Sequence, residues 1–264
     1  MGFGAKVKAE SYPKEEIFDL INKIRAVNPT NKQLTKQIKV YLAMTYFMAN
    51  RSGELLPYLH YKTKYEKGED GKTLFVQGIR SVYPMLKDTK PVSKTLGSKV
   101  KEIKYRYDSN NQVKMIIVKV PVFKSKGLPE EPAYIPRKGN PFFSEILDYI
   151  NVLKEKDIKR EIDDQDYSPV YLFGNISVDE DGLCDAWEIQ RFFWSFKKQV
   201  QLAINKVKPG FKLHSLRSSR ATDAAESSKG DIFYVQGVTR HIDLKNLEQY
   251  VKPVKMEQKV EDYA

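Results

Sequence analysis

The sequence predicts an α+β chain, mainly helical, with a small antiparallel three-stranded sheet between its helical ends. Apolar residues recur at helical spacing toward both termini, and a period-two stretch around residues 103–123 is broken by Asp108-Ser109-Asn110-Asn111. The 264 residues, 41% of them hydrophobic, suffice for a sizeable core and are too apolar for a disordered chain.

Taken in order, Ile17, Leu20, Ile21 and Ile24 follow Pro13 at helical spacing. Thr30 and Gln33 have capping-box spacing, and Leu34, Ile38, Tyr41 and Leu42 continue on one face to a stop near Ala49-Asn50. A short helical turn, Ser52 to Leu56, is disturbed at Pro57. Residues 60–100, with Gly, Pro and Lys throughout, read as an irregular basic insertion. Ile103–Tyr107 and Gln112–Phe123 form the hairpin, and Ala133–Ile135 the third strand. Asn140-Pro141 starts a helix with Phe143, Ile146, Leu147, Ile150 and Leu153 on its apolar face. Further helices are predicted at Ala186–Val207 and Ser215–Ser228. Within the first of these, Trp187, Phe192, Phe193, Trp194 and Phe196 read as core rather than as a base-stacking platform.

A formal net charge of +11 and a pI near 9.3 point to a polyanionic partner, nucleic acid above all. The charge is uneven: Lys62 to Arg106 carries a net of +7, whereas Glu155 to Glu188 carries a net of −8. A surface that lies on DNA wants the first segment near it and the second turned away. The single cysteine, Cys184, excludes an internal disulfide and suits a reducing compartment. There is neither a bilayer-length apolar run nor an apolar signal core between Met1 and Lys14, so a soluble protein of the cell interior is expected. Ser177 to Glu188 has partial EF-hand spacing, but Ser stands first where Asp is needed, so no calcium is expected there.

The chemistry is concentrated in the C-terminal third. His214-Ser215-Leu216-Arg217 is an H-x-x-R element, followed by His241 and, nine residues on, by Tyr250. Two of the three histidines of the chain lie in this constellation. Far upstream, Arg51-Ser52-Gly53-Glu54-Leu55 places an arginine at the mouth of a helical turn. Singly these residues have plainer readings: Arg51 as an ion-pair partner of Glu54, the histidines as satisfied polar residues, Tyr250 as one of 16 tyrosines.

In this order and spacing, from about Leu42 to Pro253, the set resembles the catalytic domain of tyrosine recombinases: phage integrases, chromosome-dimer resolvases and their archaeal and viral mobile-element relatives. The resemblance implies an enzyme that cleaves and rejoins DNA through a 3′-phosphotyrosine, without metal, ATP or any other cofactor. It implies Arg51 and Arg217 as a clamp on the non-bridging phosphate oxygens, for which planar, permanently charged guanidiniums are suited. Tyr250 is then the covalent nucleophile, His214 helps to accept its proton, and His241 hydrogen-bonds the phosphate. The family's leaving-group acid is a lysine in the turn after the second strand; Phe123-Lys124-Ser125-Lys126 offers Lys124, with Lys126 as the alternative.

The partners so implied are double-stranded DNA and further copies of the chain, a tetramer on DNA with a monomer in solution possible. The organisation implied is a catalytic domain over 1–251 with the 60–100 insertion and a tail at 252–264, flexible or exchanged between protomers. No N-terminal core-binding domain is read in the sequence. Lys87, Lys90, Lys94, Lys99 and Lys126 are candidate phosphate contacts. The location implied is the nucleoid, or a host cell if the protein is viral. Type IB topoisomerases share this residue set, but typically have Lys where His214 stands; an inactive DNA-binding relative is the other alternative. One departure is local: the family usually has Gly before its second active-site histidine, and here Arg240 precedes His241.

Overall fold

The computed structural model describes residues 10–56, 58–60, 63–67, 73–78, 94–96, 102–121, 130–163, 172–173, 186–241 and 243–262. Helix α1 (Lys14–Lys23) starts at Pro13, has Glu15 and Glu16 in its first turn and Lys23 in its last, and buries Ile17, Leu20 and Ile21. Those charges complement the helix dipole at each end. Helix α2 (Lys32–Phe47) is buried without a break from Val40 to Phe47, as befits a central helix. Its cap is Asn31, which accepts from the Leu34 amide at 2.9 Å, and not Thr30 as the capping-box spacing predicts. The Thr30 hydroxyl is instead donated to Asn28 Oδ1 at 2.7 Å, so it does not serve the helix.

Four short strands lie in the region read as irregular: β1 (Tyr58–His60), β2 (Thr63–Lys67), β3 (Thr73–Gly78) and β4 (Lys94–Leu96). They form two antiparallel pairs, β1 with β4 and β2 with β3. Thr73-Leu74-Phe75-Val76 has β propensity that the surrounding lysines and glycines obscured. The pairing of Tyr58 with Leu96 is too remote in sequence for a local pattern to reveal.

The main sheet is β5 (Lys104–Tyr107), β6 (Val113–Pro121) and β7 (Glu130–Pro136), antiparallel in that order. Register pairs Tyr105 with Ile116, and Ile116 with Ile135. Ile116, Val118, Val120, Ala133 and Ile135 face the core, with less buried residues between them. The hairpin turn is held by Asp108, whose carboxylate accepts from the amides of Asn110 and Gln112, each at 2.9 Å. Asn111 takes the left-handed conformation, which Asn tolerates well.

Helix α3 (Phe143–Asp163) follows Asn140, whose side chain accepts from the Phe142 amide at 3.0 Å. Helix α4 (Ala186–Val207) turns Phe196, Val200, Ala203 and Ile204 inward. Phe196 and Phe173 meet Tyr41 edge-on, with ring centroids 5.3 and 5.5 Å away. Of the aromatics read as core, Phe196 is buried but Trp194 is 65% exposed, with the Lys197 ammonium 5.5 Å from its ring; the side chains of Trp187, Phe192 and Phe193 lie outside the described residues. Trp194 falls on the face opposite the Phe196–Val200 stripe, away from the core.

The C-terminal part adds α5 (Leu213–Ser227), α6 (Ile232–Thr239), a 3-10 turn (Leu244–Asn246) and α7 (Glu248–Asp262). Helix α6 is capped by Asp231, which accepts from the amides of Phe233 and Tyr234. Ala224, Ala225, Val235, Leu247, Val251 and Val254 make a second, small core that joins α5, α6 and α7. The molecule is therefore mainly helical, with seven α-helices and one three-stranded antiparallel sheet among the described residues. Among those residues no helix is long and apolar enough to cross a membrane.

Candidate active site

The turn after α2 aims the first candidate. Ala49 takes a left-handed conformation, φ 47°, which costs a non-glycine residue about 1–2 kcal/mol. Neighbouring groups hold it there: the Asn50 amide donates to Thr45 O at 3.0 Å, and the fully buried Tyr41 donates its hydroxyl to Ser52 O. Arg51 then emerges from a tight turn, with the Glu54 amide donating to Arg51 O at 2.9 Å. Glu54, 2% exposed, receives the Arg51 amide on Oε2 at 3.0 Å and Arg51 Nη1 on Oε1 at 2.8 Å. Arg51 keeps a quarter of its side chain exposed, so its guanidinium is both anchored and accessible.

Arg217 comes from α5, one turn after His214, and the two share a helix face. His214 is exposed, whereas Arg217 is 3% exposed. Arg217 Nη1 donates to Ala49 O, a residue 168 positions away, and Nη2 donates to Thr239 O at 2.7 Å. Burial, then the charges of Arg51 and Arg240, lower its pKa to about 10, while Glu54 and Tyr250 act in the opposite sense. It stays charged at neutral pH.

His241 lies half-buried beside it, with Nε2 at 3.3 Å from Arg217 Nη2 and Nδ1 at 2.7 Å from Thr239 Oγ1. The Thr239 hydroxyl has one proton and donates it to Val235 O at 2.8 Å. His241 Nδ1–H therefore donates to Thr239, and Arg217 Nη2 sits near both ring nitrogens, 3.5 Å from Nδ1 and 3.3 Å from Nε2. Burial first, then Arg217, Arg51, His214 and Arg240, press the pKa of His241 down to about 3. The ring is neutral in the absence of an anion. Gln236 Nε2 fixes the adjoining backbone by donating to His241 O at 3.0 Å.

Tyr250 lies in the first turn of α7, half-buried against the small core, with its amide donating to Leu247 O at 2.9 Å. It is near enough for a charge on its phenol to act on Arg217. The structure thus gathers Arg51, His214, Arg217, His241 and Tyr250 from four separate stretches of chain. Lys124 and Lys126, and likewise Lys87, Lys90 and Lys99, lie outside the described residues. Lys94 begins β4.

Two members of the cluster had no role in the sequence reading. Thr239 is fully buried and orients His241. Arg240 donates through Nη2 to Met48 O, Asn50 Oδ1 and Glu54 Oε2. The only signal for Arg240 was its occupation of a glycine position. Three guanidiniums against the Glu54 carboxylate leave the cluster electropositive, suited to a phosphodiester. A cavity of about 400 Å³ lined by Phe47, Tyr134, Phe233 and Tyr234 among others shares Arg240 with the cluster. Among the described residues no group of three or more His, Cys, Asp or Glu is arranged to hold a metal ion.

No family profile matches the chain, and no curated protein matches it. Among solved structures it is similar to the XerH site-specific recombinase bound to difH substrate in a pre-cleavage complex, at 17% identity and a TM-score of 0.46, covering 94% of this chain and 52% of that one. It is similar also to XerH bound to palindromic difH in a post-cleavage complex, at 17% identity and a TM-score of 0.49, covering 99% of this chain and 54% of that one. The chain spans about half the length of these recombinase chains.

Proposed function

We propose that the chain cleaves and rejoins strands of duplex DNA, with Tyr250 as nucleophile, as a site-specific recombinase. The observation that carries this reading is the convergence of Arg51, Arg217 and His241, with Tyr250 within electrostatic reach of Arg217.

The Tyr250 oxygen attacks phosphorus while the bond from phosphorus to the 5′ oxygen breaks, leaving a 3′-phosphotyrosine and a free 5′-hydroxyl. The tyrosine proton passes to His214, and the leaving oxygen takes its proton from Lys124, or from Lys126 if the acid lies two residues on. Arg51 and Arg217 meet the charge that builds on the two non-bridging oxygens, a contribution of roughly 3–4 kcal/mol for each well-aimed donor. Attack by a 5′-hydroxyl, of the same strand or another, reverses the step and restores Tyr250. The basic stretch from Lys62 to Arg106 takes the DNA backbone. Neutralising Lys87, Lys90, Lys94 and Lys99 together should therefore weaken all duplexes alike and flatten the salt dependence, and an unchanged slope removes this role.

The test is a nicked duplex whose short 5′ fragment diffuses away after cleavage, trapping the covalent product. Wild type should form an adduct mapping to Tyr250, and Tyr250→Phe should bind DNA but form none. An adduct on another tyrosine, or none on any duplex tried, overturns the reading. Relaxation of supercoils without exchange between duplexes would make the enzyme a topoisomerase instead.

A further inference from the structure

Arg240 stands directly before His241 in the left-handed region, φ 54° and ψ 43°, at the C-terminal cap of α6. Glycine adopts this conformation freely, and a bulky side chain does not. The side chain reaches back 186 to 192 positions along the chain: Nη2 donates to Met48 O at 3.2 Å, to Asn50 Oδ1 and to Glu54 Oε2 at 3.3 Å. Only 9% of it is exposed. Glu54 is the same carboxylate that holds Arg51, and Met48 and Asn50 flank the Ala49 carbonyl that receives Arg217. Arg240 and Arg217 therefore stitch the same two segments together, residues 48–54 and 239–241.

We propose that Arg240 is a positioning residue, whose buried guanidinium fixes Glu54 and the Met48–Asn50 turn so that Arg51 and Arg217 converge on one phosphate. It does not touch the substrate; it acts through Glu54 and through the backbone on either side of Ala49. The strained backbone is accepted because glycine, although easier there, leaves one edge of Glu54 and the Asn50 amide oxygen without this donor. Lysine is no substitute, since all three acceptors meet at Nη2 and a lysine ammonium ends one bond short of that nitrogen. The proposal rests on the strand-cleavage reading for its substrate, but the geometry of the strap does not.

The test compares wild type, Arg240→Gly and Arg240→Lys on the trapping duplex, with DNA affinity and melting measured beside the single-turnover rate. Arg240→Gly suits the backbone, so it should fold and bind DNA within about threefold of wild type, while cleavage falls roughly 100-fold. Arg240→Lys should remain at least about tenfold impaired. Cleavage within threefold of wild type in either folded variant overturns the proposal; if the glycine variant does not fold, the lysine variant decides. The DNA-free protein supplies a second readout that does not depend on the proposed activity. The Arg51 amide donates to Glu54 Oε2, which also accepts from Arg240, so hydrogen exchange of that amide reads the placement of Glu54. Arg240→Gly should quicken this exchange at least about threefold. If wild type forms no adduct, the activity reading falls and this exchange alone decides: an unmoved rate overturns the positioning role.

Discussion

Arg217 Nη2 lies 3.3 Å from His241 Nε2 and 3.5 Å from Nδ1, so the buried guanidinium sits close to both nitrogens of a neutral imidazole. A phosphate entering between Arg51 and Arg217 would compete for that guanidinium and change what His241 can do. Without an anion the ring stays neutral beside Arg217; with one, a protonated ring could donate to the anion.

The titration midpoint of His241 should therefore rise as DNA binds. Burial and the surrounding cations hold its pKa near 3, and a phosphodiester anion opposes the same cations. Its imidazole signals should show a neutral ring in free protein at pH 6 and a midpoint displaced upward in the Tyr250→Phe complex with DNA. A midpoint unchanged by DNA would contradict this. Stability follows the same sign. The unfolded chain protonates His241 first as the pH falls below about 6.5, so the stabilisation is complete above that value and is lost progressively toward pH 3. His241→Gln should make that part of the acid limb shallower in a denaturation series.

Thr239 should matter through its hydroxyl and not its bulk. It accepts from His241 Nδ1–H and donates to Val235 O, inside a fully buried position. Thr239→Val keeps the volume and leaves Nδ1–H unsatisfied, a cost of about 1–3 kcal/mol. Cleavage should drop about tenfold or more at unchanged DNA affinity, with Thr239→Ser close to wild type. Equal rates for the Val and Ser variants would remove the orienting role.

Leu247 should govern the placement of Tyr250. It is fully buried in the small core of α5, α6 and α7, and its carbonyl receives the Tyr250 amide. Leu247→Ala opens a cavity costing about 2–5 kcal/mol. Because this core is separate from the main one, amide exchange should quicken in α7 while α2 stays protected. Cleavage should fall further than DNA binding. Uniform quickening throughout the molecule would show that the two cores unfold as one.

The same separation of local from distant determinants explains what could be read from sequence. Helix α4 was legible from Ala186 to Val207 because its apolar stripe repeats at helical spacing, and the hairpin because Asp108 to Asn111 is turn chemistry. Helix α6 was not. Ile-Phe-Tyr-Val is an apolar, β-prone run, and Phe233 is 70% exposed; the Asp231 cap and the packing of Val235 and Thr239 decide the helix. The strands β1 and β4 escaped notice because they pair across dozens of residues, and β2 and β3 because the lysines and glycines around them obscure their β propensity. Arg51, Arg217 and His241 were legible through their order and spacing. Thr239 and Arg240 were not, because their roles come from contacts with Val235 and His241 on one side, and with Met48, Asn50 and Glu54 on the other.

The leaving-group acid can be separated from the phosphate clamp by chemistry alone. A thiol leaves from phosphorus without needing a proton, whereas the 5′ alkoxide of ordinary DNA needs one. A duplex with sulfur at the bridging 5′ position of the scissile phosphate therefore bypasses a missing acid. It does not bypass a missing guanidinium, because the non-bridging oxygens still gain charge in the transition state. Lys124→Ala should be slow on the oxygen substrate by about 100-fold or more and should return to near wild-type rate on the sulfur substrate. Arg217→Ala should be slow on both, and since Arg217 also ties Ala49 to Thr239, its folding must be checked by melting. Rescue of Lys126→Ala in place of Lys124→Ala would move the acid two residues along the chain. Rescue of neither would place the acid outside residues 122–129, and equal rescue of Arg217→Ala would show that the sulfur substrate reports something other than protonation.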